Sequence, residues 1–389
     1  MRTLTVPFEF ETPALRQIGL EIARTNGINL AQGLCMLPVP AEVLEGAEKA
    51  LRDGHNRYSL AQGVVELREA LAERLHSFNR ITTSPDSILV TPGSTGAFEV
   101  ICEAFLSPGD EVIGFVPFYP YHRNTLRRRR AVERYIPLTG SEWSFDIEAV
   151  RAAVSPKTKF ILLTNPGNPT GKVFSREELE ALREVALEND LLVVTDEVYE
   201  YLTYDGREHT SLASLPDMAE RTITMGSYSK TFAITGWRIG YLVSPAIYSE
   251  LLRTIADQIF VCPPTPLQHG VAHGIRALPT SFYAEQRDKY ARKRATLCDA
   301  LVRAGLAPSM PQGAYYVIAN TTRRFPNMTS EQAVRELLRS ANVAGVPASD
   351  FLGSEVKGDP QRSTFIRFMF SVEDAVLDQA AHNLTRSVS

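Results

Sequence analysis

Cysteine is scarce in this chain: 389 residues hold four, Cys35, Cys102, Cys262 and Cys298, and no two form a C-x-x-C pair. That scatter argues against a zinc site and against a disulfide framework. Cys102 and Cys298 lie among apolar residues at helical spacing and read as core thiols. No apolar run approaches the length of a membrane span, and the opening stretch MRTLTVPFEFETPALRQIGLEI has neither an apolar h-region nor a small-residue cleavage site. An excess of one charge is also missing. The net charge of -4 and pI near 6.0 give no electrostatic case for nucleic acid or an anionic membrane. The run Arg127 to Arg130 is the local exception, too small a footprint for nucleic acid, and reads as a solvated helix end. There is no P-loop motif, no G-x-G-x-x-G, no internal repeat and no low-complexity linker. These absences leave a cytoplasmic enzyme as the expectation.

What is present is an alternation of short apolar runs and longer helical segments from about residue 86. DSILVT leads into PGSTGAFEVICEAFL, DEVIGFV into PFYPYH, and KFILLT into NPGNPTG and the helical SREELEALREVALEN. LLVVTDEVY and TITMG repeat the grammar. Runs apolar throughout, rather than alternating, indicate strands buried on both faces of a mainly parallel sheet. The expected class is therefore α/β. In open α/β sheets ligands bind beyond the carboxyl ends of the strands, where all these polar clusters fall. After residue 280 the pattern becomes one long helix, then GAYYVIANTT, a helix around EQAVRELLRSA, and STFIRFMFS, a smaller α+β unit. The division expected is an N-terminal arm over 1–40, a large domain over 41–285 and a small domain over 286–389. The arm, with few strong elements, is expected to wrap onto the small unit or a partner subunit.

Several residues carry chemistry. In PGSTG the backbone N–H groups of Ser94 and Thr95 would face an anion at a helix start, although the same turn suits a merely capped helix. In SYSKTFAITGWRIGY, Lys230 follows a buried strand, and a lysine with lowered pKa there is suited to a Schiff base. Ser227 by its hydroxyl and Arg238 by its fork would grip a phosphate. Asp196 ends the strand LLVVTD, where a buried carboxylate needs a partner. A protonated pyridine nitrogen is one, and it keeps the ring an electron sink; a structural partner is the alternative. Asn168 and Tyr199 can both hydrogen-bond a phenolate oxygen on the same ring. Tyr119 can stack on the ring face, or simply pack on the core. Arg367, a charge inside the apolar FIRFMFS, needs an anion: a substrate α-carboxylate, or an internal acid.

NPGNPTG, TDEVYEYLTYDG, SYSKTFAITGWRIGY and IRFMFS together resemble the pyridoxal 5′-phosphate (PLP) dependent aminotransferases of the aspartate aminotransferase fold. Within them the resemblance is to the kynurenine/glutamine transaminase and cysteine-conjugate β-lyase branch. It runs from about Asn29 to the C-terminal helix. It implies fold type I, with a large domain whose mainly parallel sheet is sandwiched by helices, and a smaller α+β domain. It implies Lys230 as Schiff-base lysine and proton shuttle, Asp196 on the pyridine nitrogen, and Asn168 and Tyr199 on the ring oxygen. Ser94, Thr95, Ser227 and Arg238 would hold the phosphate, and Tyr119 would stack on the ring. Arg367 would bind the substrate carboxylate, helped by Asn168 and the backbone of Gly33. Tyr58 matches the tyrosine that family members extend to the other subunit's phosphate, so a homodimer with shared sites is implied. No metal is expected.

The chain departs from the family where a G-x-P-D-x-x-P type stretch is usual; here it reads GLCMLPVP. Gly33 is kept, while Leu34, Cys35, Met36 and Leu37 replace the Pro-Asp pattern of a segment that normally lines the side-chain end of the pocket. An apolar lining points to a neutral or hydrophobic amino acid, and no second arginine stands out for a dicarboxylate. The expected activity is ping-pong transamination between an L-amino acid and a 2-oxo acid. A β-lyase or amino-acid cyclase on the same fold would share every motif. A non-catalytic regulator would carry a fused helix-turn-helix segment and could lose Lys230, Asp196 or Arg238, which are all kept.

Overall fold

The computed structural model describes residues 14–352 and 364–387. Seven strands form the main sheet: β1 (Ile88–Thr91), β2 (Glu111–Val116), β3 (Val132–Pro137), β4 (Thr158–Thr164), β5 (Leu192–Asp196), β6 (Thr222–Ser227) and β7 (Gly240–Val243). Their order is β1-β7-β6-β5-β4-β2-β3. Every pair is parallel except those of β7, which runs antiparallel to both β1 and β6. The sheet is thus mainly parallel, as the apolar runs implied.

Those runs are explained by burial on two faces. Successive side chains point to opposite sides of a strand, and here both sides are covered. Phe160, Leu162 and Val194 join a cluster with Phe98 and Ile101 of helix Gly93–Phe105 and Leu252 of helix Ala246–Phe260. Ile161, Leu163 and Val193 join another with Leu179, Leu182 and Val185 of helix Arg176–Glu188. Each such side chain contributes about 1.5–3 kcal/mol on burial. A Ser175–Glu178 capping box starts the last of these helices. Strand β3 escaped the sequence reading because it lies at the sheet edge, with Val132 and Arg134 exposed. The arginine run ends helix Pro120–Arg128, and Arg128 and Arg129 pair with Glu99 of the neighbouring helix. Cys102 and Cys298 are buried.

A second, antiparallel sheet has four strands: β8 (Ala307–Ser309), β9 (Tyr316–Asn320), β10 (Val346–Pro347) and β11 (Phe365–Met369), in the order β10-β11-β9-β8. Helices Thr280–Arg303, Ser330–Ala341 and Asp374–Arg386 share its core through Tyr290, Leu297, Leu337 and Leu384. The expected long helix after residue 280 is the first of these. Residues 1–13 of the N-terminal arm lie outside the described residues. The rest holds more than was expected, a helix over Ala14–Thr25. Its Ile18 and Ile22 sit in the small-sheet core, and Ile28–Asn29 pairs in parallel with Val343–Ala344.

Candidate active site

The carboxyl ends of β4, β5 and β6 open onto a cavity of about 370 Å³. Eleven of the twelve residues singled out above line it: Gly33, Ser94, Thr95, Tyr119, Asn168, Asp196, Tyr199, Ser227, Lys230, Arg238 and Arg367. Tyr58 does not; it is 84% exposed.

Three cations, Lys230, Arg238 and Arg367, face a single carboxylate, Asp196, so the lining has two positive charges in excess. The surplus suits a ligand with more than one anionic group. Asp196 ends β5 and is 3% exposed. Its Oδ2 lies 3.1 Å from Nε2 of His122, while its Oδ1 is buried without a hydrogen-bond partner. Lys230 belongs to the short helix Tyr228–Thr231 that follows β6, and its Nζ donates to Gly33 O at 2.9 Å.

At one end of the cavity the helix Gly93–Phe105 presents its N-terminus with no side-chain cap, so the first N–H groups lack a side-chain acceptor. Arg238 is held beside it, donating to Pro92 O (3.2 Å) and Thr235 O (3.0 Å), at the left-handed φ of 57°. Such a conformation in a non-glycine residue stores strain that the surroundings must offset. The Ser227 hydroxyl accepts from Ser229 N at 3.1 Å and lies 2.9 Å from Ile239 O.

Arg367, on β11 and 4% exposed, donates to Asn168 Oδ1 (3.0 Å) and Ala31 O (2.6 Å). Its Nε has no partner, and among the described residues no carboxylate lies within ion-pair distance. Its guanidinium sits 4.3 Å from the ring centre of Tyr316 and 4.9 Å from that of Phe351. Tyr199 OH lies 3.1 Å from Tyr316 OH. Burial, then Tyr316, pushes the Tyr199 phenol well up, so it stays protonated.

Two readings change. Of the four residues expected to line the side-chain end, only Leu34 lines the cavity at all, as do Gln32 and Tyr121. Cys35 turns inward, its Sγ 3.1 Å from Tyr290 OH; Met36 is half exposed and Leu37 packs at the edge of the small-sheet core. Cys35 and Leu37 thus serve packing rather than recognition. Conversely, His122, Ser229 and Tyr316 went unremarked. His122 had a signal in its spacing, three residues after Tyr119 and so on the same helical face. Tyr316 had none, since β9 meets β5's turn only through the tertiary fold.

A family model described as aminotransferase class I and II matches residues 25–384. Kynurenine–oxoglutarate transaminase 3 of Rattus norvegicus is 33% identical over 91% of this chain and 83% of its own length. A probable aspartate/prephenate aminotransferase of Thermus aquaticus is 35% identical over 87% of this chain and 88% of its own. The solved N-succinyldiaminopimelate aminotransferase of Mycobacterium tuberculosis superposes with a TM-score of 0.92 at 30% identity, covering 97% of this chain and 98% of that one. The names differ in substrate but share one reaction and one architecture. The chain belongs to the aminotransferase class I and II family, transaminases of amino-acid metabolism that use PLP.

Proposed function

We propose that this chain transfers the amino group of an L-amino acid with a neutral or hydrophobic side chain to a 2-oxo acid, in two half-reactions at the cavity above. The observation that carries the reading is the buried, partnerless Oδ1 of Asp196 in the same lining as Lys230. A carboxylate so placed lacks what a protonated ring nitrogen supplies. The uncapped helix N-terminus beside Arg238 and the surplus of positive charge fit a phosphate at one end and a carboxylate at the other. The residues therefore fit PLP, which when bound supplies an electron sink for the bonds at the substrate's α-carbon.

The chain's own groups divide the remaining work. Ser94, Thr95, Ser227, Arg238 and the helix N-terminus would hold the phosphate, and Tyr119 would cover a ring face. Asp196, kept in place by His122, would keep the ring nitrogen protonated, while Tyr199 and Asn168 would bond the ring oxygen. Arg367 would take the substrate carboxylate with two of its nitrogens already oriented by Asn168 and Ala31 O. Lys230 Nζ, released from Gly33 O, would accept the proton of the α-carbon and return it on the other side of the transfer. Leu34 and Tyr121 would meet the side chain, and among the described lining residues no further cation awaits a distal carboxylate. Tyr58, exposed and not lining its own cavity, suits a homodimer in which it reaches the second copy's phosphate end.

Purified holoenzyme is mixed with a panel of amino acids, following cofactor absorbance and assaying product. Neutral and hydrophobic amino acids should change the spectrum alone and yield a 2-oxo acid without ammonia; an acceptor should restore the spectrum. Ammonia release without an acceptor would instead mark a β-lyase. Lys230→Ala should lose at least about a hundredfold in turnover, and borohydride should fix the cofactor to Lys230 in the wild type. A wild-type rate in that variant would end the proposal.

A further inference from the structure

Tyr316 touches three residues of the cavity, Tyr199, Arg367 and Gly33. It begins β9 in the small sheet, is 2% exposed, and lines the cavity. Its hydroxyl is 3.1 Å from that of Tyr199. Its ring lies 4.3 Å beneath the Arg367 guanidinium. Its tip rests on Gly33 so closely that a Cβ there would come within 2.2 Å of the Tyr316 oxygen. The carbonyl of the same Gly33 accepts from Lys230 Nζ.

We propose that Tyr316 is a positioning residue that aims the Tyr199 hydroxyl proton into the cavity and holds the Arg367 guanidinium plane. The inference rests on the cofactor reading above and deepens it. A phenol has one proton to donate. If Tyr199 gives its proton to the ring oxygen of the bound cofactor, the proton between the two tyrosines must come from Tyr316. The Tyr199 oxygen lies at hydrogen-bond distance from the Tyr316 hydroxyl, 3.1 Å, and can accept that proton. Donation from Tyr316 polarises Tyr199 and strengthens its own donation. The Tyr199 phenol, pushed well up by burial and then by Tyr316, keeps its proton to donate. The ring acts separately: its face attracts the guanidinium, and Phe351 closes the other contact at 4.9 Å, leaving the fork little freedom to rotate.

The two parts of the side chain can be removed one at a time. Tyr316→Phe keeps the ring and loses the hydroxyl; Tyr316→Leu loses both. The first readout is the pH midpoint of the bound cofactor's visible absorbance. A hydrogen bond to the ring oxygen draws electron density from the chromophore and lowers that midpoint. Tyr316→Phe should therefore raise it by roughly half a pH unit. Tyr199→Phe should raise it further, and the Tyr199→Phe/Tyr316→Phe double variant should match Tyr199→Phe alone, as expected when one residue acts through the other. The second readout is the dissociation constant of an unreactive monocarboxylate, 3-phenylpropanoate, for the holoenzyme. It should be unchanged in Tyr316→Phe and several-fold weaker in Tyr316→Leu. An unmoved midpoint in Tyr316→Phe, additive midpoints in the double variant, or equal carboxylate weakening in both single variants would each overturn the assignment. A wild type with no titrating cofactor band would remove the cofactor reading and this inference together, which sets that failure apart from the others.

Discussion

Gly93 shows how tightly single residues are bound to the anion end of the cavity. Its φ is +73°, and a Cβ built there would meet Arg238 Nη2 at 2.3 Å. Gly93→Ala should therefore cost about 1–2 kcal/mol in backbone strain alone and push the guanidinium from the helix N-terminus. We expect a variant that folds with a lowered melting temperature and loses cofactor on dialysis at least tenfold more readily than the wild type. Retention equal to wild type, read from absorbance after dialysis, would show that Arg238 does not hold the phosphate. At this scale the sequence was most legible where a charge interrupts an apolar run. Asp196, Lys230 and Arg367 stand out because burying an ion demands a reason. His122 and Tyr316 stayed hidden because aromatic and imidazole side chains in a core need none.

The turn after β5 is two-faced. Asp196 and Tyr199 face the cavity, while Glu197 and Glu200 face the opposite side and meet Asn79, His209 and Ser211. His209 Nε2 lies 2.9 Å from Glu197, and Asn79 donates to Glu200 at 2.5 Å. Burial alone would lower the His209 pKa, but the charge and hydrogen bond of Glu197, with Glu200 behind, hold it above its ordinary 6.5. Burial pushes the Glu200 carboxyl above its ordinary 4.5 against the pull of His209 and Asn79. Both groups thus keep protons in the fold that the unfolded chain releases, so each makes stability fall as pH rises. The Glu200 contribution declines upward from 4.5. That of His209 is complete below 6.5 and is lost as pH climbs through its raised folded value. Glu200→Gln should flatten the decline in unfolding free energy between pH 5 and 8. Parallel curves for variant and wild type would refute this account. Strand patterns foretold β5 and its neighbours, since continuous apolar runs have few other uses. They were silent on the edge strand β3, and on β7, whose apolar run looks the same whichever way it points.

For the molecule as a whole, the question is what a single chain leaves unfinished. Tyr58 is 84% exposed and Leu60 68%, large side chains left mostly uncovered by their own chain. Covering them in a homodimer would explain both. Sedimentation equilibrium of the holoenzyme should give twice the 43.2 kDa of one chain, and Tyr58→Ala should weaken cofactor retention severalfold although Tyr58 touches nothing in its own cavity. A monomer with full activity would sink the shared-site reading. Among the described residues no helix is long and apolar enough to cross a membrane. The broad architecture was readable because periodicity and strand-end polarity are local, whereas the contacts of Arg367 with Ala31 and Asn168 span 336 and 199 residues.

The reversal of β7 has a consequence for wiring. A parallel return from β6 would need a crossover of roughly a dozen or more residues to carry the chain to the far rim of the sheet, and the next strand would then begin at the end away from the cavity. Because β7 runs back instead, the connection 228–239 starts and ends at the same rim, Ser227 lying opposite Gly240. One connection, beginning and ending at that rim, therefore delivers an amine and a guanidinium to the same mouth. A single strand's direction decides that the two cations are neighbours in space as well as in sequence.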